Sequence, residues 1–245
     1  MSQSHLLLRL EAPLMSFGTT AVDHRRPVQP WPPVSMLTGL LANALGWQRS
    51  DVAALDALQS RIRWAARIDR AGVALNDFQT AQLSAYDKGW TTRGVVEERG
   101  GGPNTYNSPH LRSRDYRADA SVLVALRLEP ADQPPTLNDL AAALNQPRRP
   151  LFLGRKACLP ATRINQGLVL AADAVAAVRA AVAPDDGAAP ALATVYFNEG
   201  AGPAVALAPA LGQIREHDTS DERRFAMDVH AGRQRVYEIV ARGGA

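Results

Sequence analysis

The sequence predicts an α+β fold: a ferredoxin-like βαββαβ core with a long thumb insertion and a small C-terminal β-rich region. Three observations predict it. Over residues 1–160 the segments run strand, helix, strand, strand, helix, strand, the order of that unit. A polar tract from Val73 to about Arg117 separates the second strand from the third, where the unit has a hairpin; the insertion itself spans about 77–117. Over 161–245 the pattern weakens into short apolar pieces, read as a separate small region.

The first strand is HLLLRLEAP (His5 to Pro13), a Leu-rich run that reads as buried. The loop LMSFGTTAVDHRRPVQPWPP follows, and its prolines exclude helix over the second half. VSMLTGLLANALGWQ predicts the clearest helix. Ser35 stands at its N-cap behind Pro32 and Pro33. Met36, Leu37, Leu40, Leu41, Ala44 and Leu45 repeat along one face, and Gly46 marks the stop. DVAALDALQS predicts a second helical piece, and RIRWAARID (Arg61 to Asp69) alternates as a strand. The tract after Val73 has little apolar period and a Gly-Gly-Gly-Pro break. A segment of that length without core-forming pattern is usually functional or disordered. ASVLVALRLEP (Ala120 to Pro130) predicts a buried strand, TLNDLAAALNQP a short helix capped by Thr136, and RPLFLGRKACLPA a further strand and turn. The Ala-rich LVLAADAVAAVRAAVAPDDGAAPALA predicts a helix or an ordered linker. ATVYFNEG, RRFAMDVHAG and RQRVYEIVA predict short strands.

The chain has 245 residues, 46% of them hydrophobic, ordinary for a globular protein. No window holds the roughly 18–20 apolar residues of a membrane helix. The apolar run in MSQSHLLLRLEAP is short and carries Arg9 and Glu11, so it reads as a strand rather than a targeting segment. The single cysteine excludes an internal disulfide and a multi-cysteine zinc site, and points to a reducing, cytoplasmic setting. A net charge of +3 is a mild pointer to a polyanionic partner. Among 27 Lys+Arg residues only Lys88 and Lys156 are lysine. Arginine suits bidentate phosphate contact and stacking; the same bias follows from GC-rich codon usage. The histidines at 5, 24, 110, 217 and 230 have no metal-ligand spacing, and GGGPN lacks the Lys-Ser/Thr of a phosphate loop, so no cofactor is expected.

Several stretches carry a family resemblance. LLLRLEAPLMSFG, then RRP and PPVSMLTGLLANALG, NDFQT and RDYRADASVLVAL at the ends of the insertion, LFLGRKACLP, and the late RRFAMDV and RVYEIV resemble the Cas-five family of repeat-associated RNA-binding proteins, which includes the CasD-type subunits of type I-E CRISPR Cascade. The resemblance covers nearly the whole chain except about Leu170 to Ala193. Two positions depart from it: Val34 and Pro30 stand where the family often has basic residues, so contacts there are lost or moved, with Arg25 and Arg26 as nearby substitutes. The resemblance implies an RRM-like, non-catalytic subunit that holds the 5′ handle of a CRISPR RNA (crRNA). Its thumb would lean on a CasC-type backbone subunit and bend the RNA. It would also touch a CasA-type large subunit, and it needs no cofactor, metal or membrane.

Single-stranded RNA is bound by stacking bases on aromatic or guanidinium planes and gripping phosphates. Tyr106, Asn107, His110, Arg112, Arg114, Tyr116 and Arg117 supply such groups in one short stretch; with Glu97, Glu98 and Asp115 nearby, they equally fit a solvated hairpin. Ser16, Phe17 and Gly18 fit a backbone approach to a ligand or a plain turn. Arg25 and Arg26 fit an RNA contact, a subunit interface or a solvated surface, and the resemblance adds Ser35. Strand alternation points Arg155 and Lys156 to opposite faces, so one of them reaches RNA, and Arg155 is the choice. Cys158 reads as a small buried residue. Trp31 reads as a packing wedge, Trp47 and Trp64 as core, and Trp90 as a partner contact. Two rival functions remain at this stage. One is a metal-independent endoribonuclease processing precursor crRNA, for which His24, His110, Tyr106, Lys88 and Lys156 are the acid–base and cationic candidates. The other is a protein adaptor that never touches RNA.

Overall fold

A computed structural model describes residues 2–21, 24–82, 89–90, 96–97, 110–182, 192–203, 213–230 and 232–242. Strand β1 (Gln3–Met15) is buried without a break from His5 to Leu10, as expected of a strand covered on both faces. The two-residue β2 (Arg25–Arg26) precedes helix α1 (Val34–Leu45), which ends at Gly46 in the left-handed conformation, φ 81°. There Trp47 N–H donates to the Ala42 carbonyl, closing the helix end. Helix α2 (Val52–Arg61) runs into β3 (Ile62–Arg70), and β4 (Val73–Ala81) follows. The short β5 (Gly89–Trp90) and β6 (Val96–Glu97) pair with each other. The long β7 (His110–Leu128) leads to α3 (Leu137–Asn145), whose Thr136–Asp139 capping box fulfils the expected Thr136 cap. Then come β8 (Asn165–Ala171), α4 (Ala174–Ala180), β9 (Leu192–Asn198), β10 (Ile214–Thr219), β11 (Arg223–Arg224), β12 (Val229–His230) and β13 (Gln234–Arg242).

One sheet runs in the order β10-β13-β9-β3-β7-β1-β8, with every neighbouring pair antiparallel. One face carries α1, α2 and α3 over Leu6, Leu8, Leu10, Trp64, Val122, Val124 and Leu126. The other carries α4 over Leu7, Ala65, Ala125, Val195 and Phe197. Ala65 and Ala125 are paired in register and fully buried, and these small side chains let Ala174 and Ala177 of α4 come close. The buried Arg67 closes the end of α4: its guanidinium donates to the Val178 carbonyl and, at 2.6 Å, to that of Ala181, while Asp69 balances its charge at 2.5 Å.

Strands β3 and β4 pair with the two ends of β7 in turn, so together they form one long hairpin. It is interrupted where Gly72 (φ 66°) faces Asp119 (φ 54°), both in the left-handed region. A Cβ on Gly72 would overlap the Ala118 carbonyl oxygen.

Three expectations need correction. The stretch RPLFLGRKACLPA is no strand: it folds back as a loop, with Leu153 N–H donating to the Cys158 carbonyl at 2.7 Å. The strand beside β1 is β8 instead, whose last residues open the Ala-rich segment; the helix expected within that segment is α4. The strand expected from Ala120 begins at His110, because pairing with β4 and β2 extends it past the apolar core. Finally, α1 starts at Val34 with Pro33 as N-cap. Its cap is the Asp221 carboxylate, which accepts from Val34 N–H at 2.8 Å and from Ser35 Oγ at 3.1 Å.

Candidate nucleic-acid interface

Two loops clasp each other at the end of β1. Ser16 N–H donates to the Leu153 carbonyl at 3.1 Å, and Gly154 lies directly over Ser16 with φ 96°. A Cβ at Gly154 would overlap the Ser16 carbonyl oxygen, so only glycine allows this approach. The first loop returns as a narrow ribbon, with Gly18 bridged to Val28 and Gln29 N–H donating to the Phe17 carbonyl at 2.8 Å. The second loop turns at Arg155, whose carbonyl accepts from Cys158 N–H at 2.8 Å. Leu153 and Cys158 plug this loop into the core. The Cys158 thiol is pushed up by burial, away from the thiolate a reactive cysteine needs.

The clasp forms one end of an open groove of about 1140 Å³, above the usual ~300–1,000 Å³ of a small-molecule pocket. The near wall holds Ser16, Gly18 and Arg26, the strand β7 adds Arg114 and Tyr116, and the second loop adds Gly154, Arg155 and Lys156. The floor is the exposed side of α1, with Ser35 and Gly39, and the far wall is the segment from Thr219 to His230. Burial pushes the Asp221 carboxyl up to about 6, although it accepts bonds from Val34 and Ser35. These bonds fix the far wall to the start of α1. Beside it, Asp228 joins Arg49 and Arg223, and Gln59 exchanges hydrogen bonds with the Arg223 main chain at 3.0 and 3.1 Å.

Arg155 is a brace. Its guanidinium lies 4.6 Å over the Tyr116 ring and donates to the carbonyls of Asp115 at 3.0 Å and Arg26 at 3.2 Å. Lys156, beside it, is exposed. Among the described residues the side chains of Arg26, Arg114 and Lys156 form no ion pair, so the groove holds uncompensated positive charge.

The groove brings together Ser16, Gly18, Arg26, Ser35, Arg114, Tyr116, Arg155 and Lys156 of the sequence-derived candidates. The others lie apart from it. Phe17 is buried in the core. Arg25 pairs with Asp115 at 3.1 Å, and Arg112 is exposed further along β7. Arg117 lines a separate 40 Å³ cavity with Met15 and Ile68. Tyr106, Asn107 and Lys88 lie outside the described residues, as do the side chains of His110 and Trp90. His24 is exposed before β2, away from the groove lining. Trp31 packs against Tyr196 and His217, with ring centroids 4.7 and 5.0 Å apart, Trp64 is fully buried, and Trp47 packs on the core edge.

Sequence reasoning missed Gln29, Gly39, Asp221, Arg223 and His230, all lining the groove. For Asp221 no local signal exists, since it caps a helix 187 residues earlier. No group of His, Cys, Asp and Glu able to hold a metal occurs among the described residues, and no helix there is long and apolar enough to cross a membrane.

Comparison with known proteins identifies relatives of the whole chain. The family model described as CRISPR-associated protein (Cas_Cas5) matches residues 5–238. The CRISPR system Cascade subunit CasD of Escherichia coli (strain K12) is 33% identical over 156 residues, spanning 64% of this chain and 67% of that protein. A chain of a CRISPR RNA-guided surveillance complex superposes with a TM-score of 0.65 at 25% identity, over 98% of this chain and 91% of the other. A crystal structure of a Cas protein gives 0.63 at 27% identity, over 98% and 95%. With the family model running from the first strand to the last, the chain belongs to the CRISPR-associated Cas5 family.

Proposed function

We propose that this chain is a non-catalytic subunit of a Cascade-type CRISPR RNA-guided surveillance complex, acting in antiviral defence in the cytoplasm by binding the crRNA 5′ handle in the groove. The observation that carries this reading is convergence: the Ser16–Gly18 loop, Arg26, Arg114 with Tyr116, and the Gly154–Lys156 loop come from distant parts of the chain and line one open, positively charged groove. An extended polyanion needs that combination of charge, stacking surface and length. The strand order β3-β7-β1-β8, antiparallel with α1 to α3 on one face, supports the ferredoxin-like reading of the core. The 5′ handle crosses the groove with Lys156 and Arg26 on its phosphates. Arg155, occupied by two carbonyls and a ring, positions the loop instead. A CasC-type backbone subunit docks on the distal hairpin, and the chain caps the backbone filament beside a CasA-type subunit.

The test is reconstitution of the complex with crRNA. With wild-type chain, crRNA co-purifies and its retention falls with salt, each lost phosphate contact lowering the log–log slope by about 0.7. Lys156→Ala with Arg26→Ala should lower retention by tenfold or more, since each change removes a hydrogen bond to a charged phosphate worth roughly 1.5 kcal/mol or more. Unchanged retention overturns the groove assignment. Specific cleavage of precursor RNA by the purified chain in EDTA overturns the non-catalytic reading.

A further inference from the structure

We propose that the groove contains a subsite for a single nucleobase, laid over Gly39 and read by the side-chain amide of Gln29. The proposal rests on the RNA-binding reading above and adds to it a residue that reads base identity rather than charge.

The first observation is an unspent donor. Gln29 lines the groove and is 8% exposed, with its main chain fixed to Phe17. Its Nε2 has no hydrogen-bond partner and is closed off from solvent. Buried amides are almost always satisfied, and one left over beside an open groove is a place for an acceptor brought by a ligand. In the proposed bound state the side chain turns about its own bonds to bring this N–H to the groove that Gln29 lines. The amide is neutral, while the cations suited to phosphate stand elsewhere on the groove at Arg26, Arg114 and Lys156. Base edges offer acceptors of the kind a neutral amide selects: guanine O6 and N7, adenine N7, pyrimidine O2.

The second observation is the floor. Gly39 sits in the middle of α1, exposed to the groove, and a Cβ there would meet nothing within 4 Å. Glycine weakens a helix interior, and no contact inside the protein requires it here. Ser35 and Asn43, one turn to either side, also line the groove. The floor is therefore flat at Gly39, and a planar ring can rest on the helix backbone there. Across the groove, Arg223 and His230 offer a guanidinium and an imidazole for the second face of the base.

The test measures binding of the full-length chain to short fluorescent single-stranded RNAs: oligo-A, oligo-C, oligo-U and a guanine-containing mixed sequence. Wild type should prefer one base by about two- to tenfold, the range of one neutral hydrogen bond. Gln29→Ala should flatten that preference and leave the salt dependence as it was. Gln29→Met, which keeps the volume without the donor, should do the same, separating the lost hydrogen bond from lost packing. Gly39→Leu should melt no lower than wild type yet bind every RNA about tenfold more weakly, because the side chain fills the floor. A wild type without base preference, a preference that survives Gln29→Met, or a Gly39→Leu chain that binds as wild type overturns the subsite and leaves the RNA reading intact. A wild type with no salt-sensitive RNA binding overturns both.

Discussion

The two halves of the long hairpin share one ladder of hydrogen bonds and little else. In the proximal half, β3 lies against Ser121–Leu128, and Trp64, Ala65, Ala66, Val124, Ala125 and Leu126 are all fully buried between the two helical layers. In the distal half, β4 lies against His110–Ala118, where Val73, Leu75, Phe78 and Leu111 face solvent. A two-stranded hairpin alone is marginal in water. The distal half continues a ladder already fixed by the core. It gains β2 along its other edge and a polar knot in which Asp115 accepts from Asn76 at 2.6 Å and from Arg25 at 3.1 Å. Apolar burial anchors one half, and β7 carries that order outward into an exposed ribbon with β4.

The sharpest contrast is between two aromatic residues. Trp64→Ala empties a fully buried site and should cost about 3–5 kcal/mol, enough to consume much of a domain's stability. Phe78 is 61% exposed, and Phe78→Ala should change stability by no more than about 0.5 kcal/mol. Urea denaturation midpoints measure both. A large loss with Phe78→Ala shows that the distal half has a core of its own and removes the contrast.

The joint between the halves comes next. Gly72→Ala puts a Cβ into the Ala118 carbonyl and holds alanine at φ 66°, which should cost about 1–3 kcal/mol. The damage belongs in the distal half, so amide exchange of β4 should speed up more than that of β3. Equal acceleration in both means that the bend is not a boundary.

Acid should also act on the distal half. Hydrogen bonding from Asn76 holds the Asp115 carboxyl below its ordinary value, with Arg25 adding to the effect against a burial penalty. A carboxylate depressed in the folded state stabilises above its unfolded value and loses that contribution as pH falls through the folded one. Between about pH 5 and pH 3, around the ordinary value near 3.9, protection of β4 and β2 should fall before that of β3. The exchange data must be corrected for intrinsic rates. Asp115→Asn should remove that pH dependence, and a pH response that persists in it assigns the effect to another carboxylate.

The same contrast explains which parts were legible in the sequence. Burial writes apolar periods, so β1, α1, α3 and the inner parts of β3 and β7 could be read directly, and the Thr136–Asp139 box is local. The outer part of β7 has no apolar signal, because cross-strand hydrogen bonds alone make it a strand. The loop around Gly154 misled for the opposite reason: Leu151, Leu153 and Cys158 enter the core from a loop and imitate strand alternation. In the groove, residues with conspicuous chemistry, such as Arg114, Tyr116 and Lys156, stood out. Gln29 and Gly39 did not, since an unpaired amide and an uncovered glycine acquire meaning only from what surrounds them in space.

The smallest stability effect belongs to Arg112→Ala with Arg114→Ala. Arg112 is exposed and, among the described residues, donates to the carbonyl of its neighbour Leu111, and Arg114 is partly exposed on the groove. Surface changes of this kind stay within about 0.5 kcal/mol each, so the melting temperature should hold. Assembly of the complex or crRNA retention should drop, because these side chains stand on a framework they do not help to support. That separation is what a distal arm built on a proximal core allows. A double variant that melts well below wild type makes the arginines structural, and one that assembles and retains crRNA normally removes the distal hairpin from the RNA path.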